Sequence, residues 1–280
     1  MSVSVAVQIA GAGRRARWKA TVRATVVLEE ALAEPSVQPG RECVLCPPLR
    51  YRVNAMADLP GEASVIARDR DFLLMPDVAP LADGHLLLVT RRHHQCAGDF
   101  GEPLWDRALR WRDHVAHLYR RAYGTGELLL FEHGPALSQG GGACIDHAHW
   151  HFLPGVHGIR TVVEGRGLPG TPAGYAALRA RFRTGHSYLL IDEQGTSTVH
   201  PGDGVRGQFL RWAVTVALHG ETASNAVPAM AWRWQETFGL PESRGRFLRT
   251  VRELHRAEAA LDGPSASGGR DDDQRDDSHQ

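Results

Sequence analysis

The sequence predicts an α+β protein, built on an antiparallel sheet with flanking helices and followed by a partly helical C-terminal extension. Short apolar runs of strand length follow one another, with charged or glycine-containing turns between them. One long segment, 104–122, repeats apolar residues at every third or fourth position, as an amphipathic helix does. Strands with so few intervening helices favour antiparallel pairing over a doubly wound parallel sheet.

The predicted elements follow one another at short intervals. The apolar runs 65–67 and 72–75 flank the charged turn 68–71, which predicts a hairpin. Further strands are predicted at 85–89, 127–131, 144–153 and 188–191. Helices are predicted at 104–122, 208–218 and 247–261. Pro103 suits the first turn of the long helix, and Gly124 suits its end.

The two ends of the chain differ from its middle. Residues 263–280 contain no large apolar side chain, so burial cannot offset the entropy of ordering them, and this tail is predicted to be disordered. Residues 1–39 are predicted to form a partly flexible N-terminal segment, and prolines near its end break regular structure. Between the ends we expect a main domain at 40–162 and a C-terminal extension at 163–262.

Composition excludes several classes of function. The 280 residues are 42% hydrophobic and 23% charged, as in a soluble globular protein. The formal net charge is zero, so no global basic field is available to hold a nucleic-acid backbone. Lys19 is the sole lysine and lies in an Arg-rich stretch, which argues against Schiff-base chemistry. We find neither a signal peptide nor an apolar run near the roughly 20 residues that span a bilayer, and we expect a cytoplasmic protein.

The densest chemistry lies in three histidines spaced two residues apart, His147, His149 and His151. Because side chains alternate between the faces of a strand, the three imidazoles are predicted to form a row on one face while Ala148 and Trp150 enter the core. Two interpretations follow from the residues alone. Either several imidazoles ligate a catalytic metal, or one imidazole is a nucleophile that its neighbours orient.

Cys43 and Cys46 form a Cys-x-x-Cys pair. No second such pair exists to complete a four-thiolate zinc site, so a structural zinc ion would need two histidine ligands. Free thiols and a redox pair are the alternatives, although no thioredoxin-like βαβ pattern surrounds the motif.

The histidine triplet, followed by two apolar residues, resembles the signature of the histidine-triad (HIT) superfamily of nucleotide hydrolases and transferases. Upstream, Gly84-His85, an apolar strand and a basic segment ending at His93 resemble a second block of that family. The preceding Cys-x-x-Cys resembles the motif of the zinc-containing branch of this family, which includes galactose-1-phosphate uridylyltransferase. The chain also resembles the diadenosine polyphosphate hydrolase-like proteins. The blocks come in the family's order over 43–154, which implies a HIT-like antiparallel sheet and makes 40–162 the catalytic domain.

Carried over onto this sequence, the resemblance implies a role for each block. A structural zinc ion would be held by Cys43, Cys46, His93 and His147. His149 would be the nucleophile on the α-phosphorus of a nucleotide, and His151 would contact the phosphate or the leaving-group oxygen. His94 is adjacent to His93, and strand register favours His93 as the ligand.

A glycine-rich loop precedes the triplet and is predicted to bind phosphate through Ser138, Gln139, Gly140, Gly141 and Gly142. Consecutive glycines let backbone N–H groups approach anionic oxygens, and the first two residues add side-chain donors. A flexible hairpin loop is the alternative. The sequence departs from the family pattern at two places. Ala143 stands where the family has a glutamine, and Glu132-His133 stands where the family frequently has Asn-x-Gly. Glu132 and His133 are therefore candidates for the rim of the cleft or for an ordinary turn.

The function that follows is a nucleotide hydrolase, which cleaves at the α-phosphate of a nucleoside phosphate or nucleotide conjugate through a nucleotidyl-histidine. The first alternative is a nucleotidyltransferase or phosphorylase that passes the nucleotidyl group to a second substrate. The second alternative is a non-catalytic, zinc-stabilised nucleotide-binding protein. A small nucleotide or nucleotide conjugate is the expected partner, with no nucleic acid and no membrane, and the resemblance leaves a homodimer open because dimers are frequent in the family.

Overall fold

The computed structural model describes residues 43–135, 145–224 and 232–261. An antiparallel sheet of eight strands dominates this part of the chain, in the order β1-β2-β3-β5-β4-β7-β8-β6. The strands are β1 (Ala67–Arg68), β2 (Phe72–Pro76), β3 (Leu86–Thr90), β4 (Leu128–Gly134), β5 (His149–Pro154), β6 (Thr171–Pro172), β7 (Tyr188–Glu193) and β8 (Thr196–Pro201). The predicted α+β class, an antiparallel sheet with flanking helices, is confirmed.

Eight α-helices in the described residues connect and cover the strands. They are α1 (Arg52–Met56), α2 (Glu102–Tyr123), α3 (Ile159–Glu164), α4 (Tyr175–Arg183), α5 (Phe209–His219), α6 (Glu221–Ser224), α7 (Trp234–Thr237) and α8 (Pro241–Leu261). Two short 3-10 turns lie at Leu49–Tyr51 and Ala97–Asp99. None of these helices has the length and apolar character needed to cross a membrane.

The predicted long helix is confirmed with both of its ends. Helix α2 has Pro103 in its first turn, where the missing backbone N–H costs no intrahelical hydrogen bond. It ends at Gly124, whose φ of 73° is the left-handed conformation that closes many helices. The buried side of α2 packs on one face of the sheet, where Trp105 stands edge-on to Trp150 of β5 with ring centroids 5.5 Å apart.

The predicted hairpin at 65–75 is also confirmed, with a shorter first strand. β1 pairs with β2 antiparallel in the register Ala67↔Leu74 and Arg68↔Leu73. Val65 and Ile66 precede the strand and are buried. The turn is held by the Asp69 carboxylate, which accepts backbone N–H groups from Asp71 and Phe72.

The strand predicted at 144–153 begins later than expected. β5 begins at His149, residues 145–147 form a bend, and position 144 lies outside the described residues. The backbone at Ala148 is tied to the segment after β3, because its N–H donates to the His94 carbonyl at 2.6 Å. His147 therefore stands just before the strand rather than in it.

Strands from the region after 163 join the same sheet. β7 pairs with β4 along its whole length, from Leu129↔Glu193 to Gly134↔Tyr188. β7 and β8 form a hairpin whose two turn residues, Gln194 and Gly195, both have positive φ, as tight two-residue hairpin turns require. The sheet thus continues beyond the strands that the sequence motifs occupy.

The alternation of β5 assigns its side chains to two different environments. Trp150 and Phe152 are buried in the core beneath α2. Leu153 lies on the other face, where it belongs to a second core formed with α5. His149 and His151 share that second face, so they open towards the side of the sheet that α5 and the segment 232–234 cover.

Candidate functional site

Four predicted zinc ligands meet at one end of β5. The donor atoms of Cys43, Cys46, His93 and His147 all lie within 4.8 Å of one another. The His147 Nδ1 atom is 3.3 Å from the Cys43 sulfur and 3.4 Å from the Cys46 sulfur, and His93 Nδ1 is 3.5 Å from the Cys46 sulfur. Sulfur and nitrogen ligands on a tetrahedral zinc ion would be about 3.6 Å apart, so the spacing fits such an ion.

The chemistry of these donors also suits a metal ion. His147 is 1% exposed, and its Nε2–H donates to the Thr90 carbonyl at 2.8 Å, which leaves Nδ1 unprotonated and directed at the sulfurs. Burial lowers the pKa of His147 to about 3, so the ring is neutral, the form that binds metals. Burial and the neighbouring Cys46 raise the pKa of the Cys43 thiol to about 12, so only a bound cation would make it a thiolate at neutral pH.

The structure separates the two adjacent histidines after β3. His93 joins the cysteines, whereas His94 Nδ1 lies 3.3 Å from the Asp99 carboxylate. Cys96 is remote from the cluster; its thiol is buried and faces the Pro135 carbonyl at 3.7 Å. The preference for His93 over His94 agrees with this placement.

His149 is poised as a nucleophile would be. Its Nδ1–H donates to the His147 carbonyl at 2.6 Å, so the lone pair of the neutral ring lies on Nε2. Burial lowers its pKa, and the ring is neutral at pH 7. The side chain is half-buried and lines a cleft of about 1010 Å³, open mouth included.

His151 is fixed by a chain of hydrogen bonds that begins at the backbone. His85 Nδ1 accepts the Leu81 N–H at 3.1 Å, so the proton of this neutral ring is on Nε2. His85 Nε2 lies 3.0 Å from His151 Nδ1 and donates to it. His151 must then carry its own proton on Nε2. The ring is stacked on Phe131, with centroids 4.4 Å apart and planes inclined by 6°.

A buried ion pair supports this chain of histidines. The Asp77 carboxylate lies 3.5 Å from His151 Nδ1 and 3.6 Å from His85 Nε2, and Arg211 of α5 donates to the same carboxylate oxygen at 2.7 Å. Asp77, His85 and His151 are close enough to hold a cation by geometry alone. The guanidinium already occupies the carboxylate oxygen and would repel a second cation there, so we interpret this group as a hydrogen-bond network.

The cleft has an apolar wall and few free charges. Two arginines lie in its described lining, Arg50 and Arg211. Arg50 donates to the Leu45 and Thr90 carbonyls, and Arg211 donates to Asp77 and to the Ala79 and Trp232 carbonyls. Both guanidinium groups therefore donate several of their hydrogen bonds to groups of the protein, which leaves fewer cationic N–H donors for a phosphate on this lining.

His133 and Glu132, the two rim candidates, lie on opposite faces of β4. His133 lines the cleft, and neither ring nitrogen has a hydrogen-bond partner among the described residues. Burial lowers its pKa to about 4. Glu132 is buried on the other face, where its carboxyl group accepts the Ala97 N–H at 2.9 Å and the Tyr188 hydroxyl at 2.6 Å.

Some of the predicted site lies beyond what the structure describes, and some of the observed site was missed. The predicted phosphate loop at 138–142 falls outside the described residues. The sequence predicts neither Asp77 nor Arg211 as a site residue, and it points to His85 only as part of a motif. Strand alternation could have placed His85 near the triad, but no sequence signal links Arg211 to Asp77, 134 positions away.

Comparisons with known proteins leave the family open. No family model matches the chain, and no curated protein matches it. A solved structure described as a HIT-like protein involved in cell-cycle regulation from Bartonella henselae, with an unknown ligand, is 22% identical to this chain. That likeness covers 32% of this chain and 67% of the other, at a TM-score of 0.27. At that TM-score it does not decide the fold or the function, which rest on the residues described above.

Proposed function

We propose that this protein is a histidine-triad-type enzyme that cleaves or transfers at the α-phosphorus of a nucleoside phosphate or nucleotide conjugate. His149 is the nucleophile, and a nucleotidyl-histidine is the intermediate. The observation that carries the proposal is the state of the His149 ring, which is neutral, has its proton held on Nδ1 by the His147 carbonyl, and lines the cleft. A neutral imidazole with a free Nε2 lone pair can attack phosphorus and later leave.

The first step forms a bond between Nε2 of His149 and phosphorus. The bond from phosphorus to the leaving group breaks, and its electron pair departs on the leaving oxygen or nitrogen. His151 has its proton on Nε2 and lies beside His149, with ring centroids 5.0 Å apart, so it can donate a hydrogen bond to a phosphate oxygen or to the leaving atom. In the second step water attacks phosphorus and loses a proton to the solvent, and the phosphorus–nitrogen bond breaks with its electron pair returning to Nε2, so the neutral imidazole is restored.

Cys43, Cys46, His93 and His147 would hold zinc as a closed, structural site. A zinc ion there would supply a fixed anchor and no open coordination position for substrate. His147 is both a member of this group and the residue whose carbonyl orients His149. The metal cluster would therefore hold the nucleophile in place before substrate binds, which lowers the entropy cost of reaching the reactive geometry.

Hydrolysis is favoured over transfer by His151, because the uridylyltransferase branch has glutamine at that position. Transfer to a second substrate is favoured by the metal cluster and by the region after 163, which adds Gln208, Leu210, Arg211 and Trp234 to the cleft. The third candidate, a non-catalytic nucleotide-binding protein, would use the same cleft without turnover.

Intact-mass spectrometry tests the covalent step. The full-length H151Q variant, incubated with adenylated, guanylated and uridylated phosphoesters or phosphoramidates, should gain the mass of one nucleotidyl group. The double variant H149A/H151Q is the matched control and should gain none. An adduct on the double variant would exclude His149 as the nucleophile. Phosphorus NMR of the wild-type reaction with and without added acceptors then separates hydrolase from transferase, and binding with neither adduct nor turnover would support the non-catalytic alternative.

A further inference from the structure

We infer that Arg211, which helix α5 supplies from the region after the triad, is a positioning residue that holds His151 with its proton on Nε2, facing the cleft. This role rests on the proposed function, because it concerns the group that donates to the reacting phosphate. Arg211 lines the cleft, but its described hydrogen bonds go to Asp77 and to backbone carbonyls rather than to the cleft histidines. It acts through Asp77 and through the backbone between β2 and β3.

Three of the five guanidinium N–H groups of Arg211 donate to other parts of the protein. Nη1 donates to Asp77 Oδ2 at 2.7 Å, Nη2 donates to the Ala79 carbonyl at 2.6 Å, and Nε donates to the Trp232 carbonyl at 3.0 Å. The side chain is 5% exposed. A charged hydrogen bond in such a dry environment is strong, and a buried arginine with one partner removed is costly. The arginine therefore fixes the segment 77–81 relative to α5.

That segment sets the proton positions of the histidine pair. The Asp77 Oδ1 atom accepts the Ala79 N–H at 2.7 Å, which closes a tight turn, and two residues later the Leu81 N–H donates to His85 Nδ1. A backbone N–H can only donate, so His85 cannot carry a proton on Nδ1 while this bond exists. The single proton of His85 is directed at His151 Nδ1, and the proton of His151 is directed away from it, towards the cleft.

The charge of Arg211 is as necessary as its hydrogen bonds. Among the described residues, four ionisable groups act on His151, namely His85 just before β3, His149 from β5, Asp77 from the turn and Arg211 from α5. Asp77 alone would attract an extra proton onto the histidine pair. Burial lowers the pKa of both His85 and His151 well below the usual range, and the Arg211 guanidinium, which offsets that carboxylate, lowers the pKa of both rings further. The pair consequently stays neutral and keeps one donor and one acceptor per ring.

The test compares R211Q with the matched control R206Q in the full-length protein. Arg206 comes from the same region and lies over the Trp232 ring at 4.6 Å, but it is exposed and does not contact Asp77. Nitrogen-15 NMR of labelled histidines reads the proton positions directly. In the wild type and in R206Q, both His85 and His151 should have unprotonated Nδ1. In R211Q the pair should take up a proton with a midpoint about one pH unit higher or more, because the carboxylate is no longer offset.

Activity gives a second readout. In R211Q, kcat at neutral pH should fall about tenfold or more with little change in KM, because the donor is misplaced while the cleft wall is intact. The acid limb of the pH–rate profile should move to higher pH. The double variant D77N/R211Q, which removes both charges, should regain the neutral histidine signals. If R211Q does not fold, R211K replaces it, and it should keep the neutral pair while losing kcat because lysine cannot bind all three acceptors at once.

Several results would overturn the role of Arg211. One is a wild-type protein in which His151 carries its proton on Nδ1. Another is an R211Q variant with the histidine signals and the pH profile of the wild type. A third is an R211K variant with the kcat of the wild type. Failure of the proposed function can be told apart from failure of the role of Arg211. A protein without turnover or a covalent adduct would still show the proton positions of its histidines by NMR. Conversely, if H149A is inactive while R211Q behaves as the wild type, the proposed function is supported and the role of Arg211 is refuted.

Discussion

Two groups of ionisable side chains lie at either end of the His147–His151 row, and they differ in what balances them. At one end, two cysteines and two histidines converge on a common centre with no cationic side chain among the four. At the other end, His151 and His85 meet a carboxylate that is already paired with Arg211. Both groups have the spacing of a metal site. The first would need a cation to ionise the Cys43 thiol at neutral pH, whereas the second already contains one.

This difference explains how one short histidine row can serve two purposes. Alternating histidines on a strand fit either several metal ligands or a nucleophile with supporting groups. In the folded chain, His147 leaves the strand at a bend and joins the cysteines, while His151 stays in the ladder opposite Phe131. His149 lies between them and belongs to neither group, so its Nε2 atom is left for a ligand in the cleft.

The largest effect is expected at this central residue. H149A should lower turnover on the order of a thousandfold or more, because the covalent step is lost. It should keep its bound metal and its melting temperature within a few degrees, since His149 belongs to neither group. Activity assays, metal analysis and thermal unfolding of the same preparation check these expectations. Release of the metal from H149A would place this ring among the ligands and refute the division described above.

The next effect distinguishes the two groups by their need for metal. C43S should lose the bound metal and be destabilised by on the order of 4 kcal/mol, because a structural metal stabilises the folded state directly. C96S, which removes a buried thiol outside the cluster, should keep one equivalent. Elemental analysis and denaturant unfolding measure both quantities.

H85Q provides the converse comparison. It alters the group at the other end of the row and should also keep one equivalent of metal, since Arg211 already balances Asp77 there. Two equivalents in the wild type, one of them lost in H85Q, would show that both groups bind metal.

The opposite face of β4 gives an effect on stability alone. Burial raises the pKa of Glu132 to about 7, against an ordinary value of 4.5. Between these values the folded state keeps the proton that the unfolded state releases, so Glu132 makes the protein less stable as pH rises from 4.5 to 7. Above pH 7 the cost is about 3 kcal/mol. In E132Q, the difference in unfolding free energy between pH 5 and pH 8 should shrink by roughly that amount, and an unchanged pH dependence would mean that Glu132 ionises normally.

The smallest effect is expected at His133, on the cleft side of the same strand. Because its ring nitrogens have no hydrogen-bond partner among the described residues, H133F should leave stability nearly unchanged. A lost hydrogen bond to substrate should raise KM by about tenfold with kcat maintained. Steady-state kinetics checks this, with E132Q at pH 6 as the control on the opposite face. Loss of stability with unchanged KM in H133F would make His133 a structural residue.

Local patterns predicted much of this protein. The spacing of apolar residues in 104–122 predicted α2, and alternation around Trp150 predicted which side chains enter the core. The four residues that converge as a candidate metal site were all named from short motifs. The start of β5 was predicted too early, because the alternation extends through His147 while tertiary contacts turn that residue out of the strand.

Other features depend on pairings that no local pattern contains. β7 pairs with β4, so the region after 163 belongs to the same sheet as the strands that carry the motifs. His85, just before β3, and His151 of β5 are 66 positions apart, and His85 donates a hydrogen bond to His151. Hydrophobic periodicity reports which side of an element is buried, but it does not report which element covers it.

The sequence by itself determined the antiparallel α+β class, the histidine row and the chemical character of its donors, because these follow from local spacing and side-chain type. The resemblance already assigned His147 to a metal site, but only the tertiary structure decided that His151 joins a network with His85 and Asp77 and that Arg211 from a distant helix balances that network. The physical reason is that a proton position or an ionisation state is set by the nearest charges and hydrogen-bond partners. In this fold, those partners come from segments that are far apart along the chain.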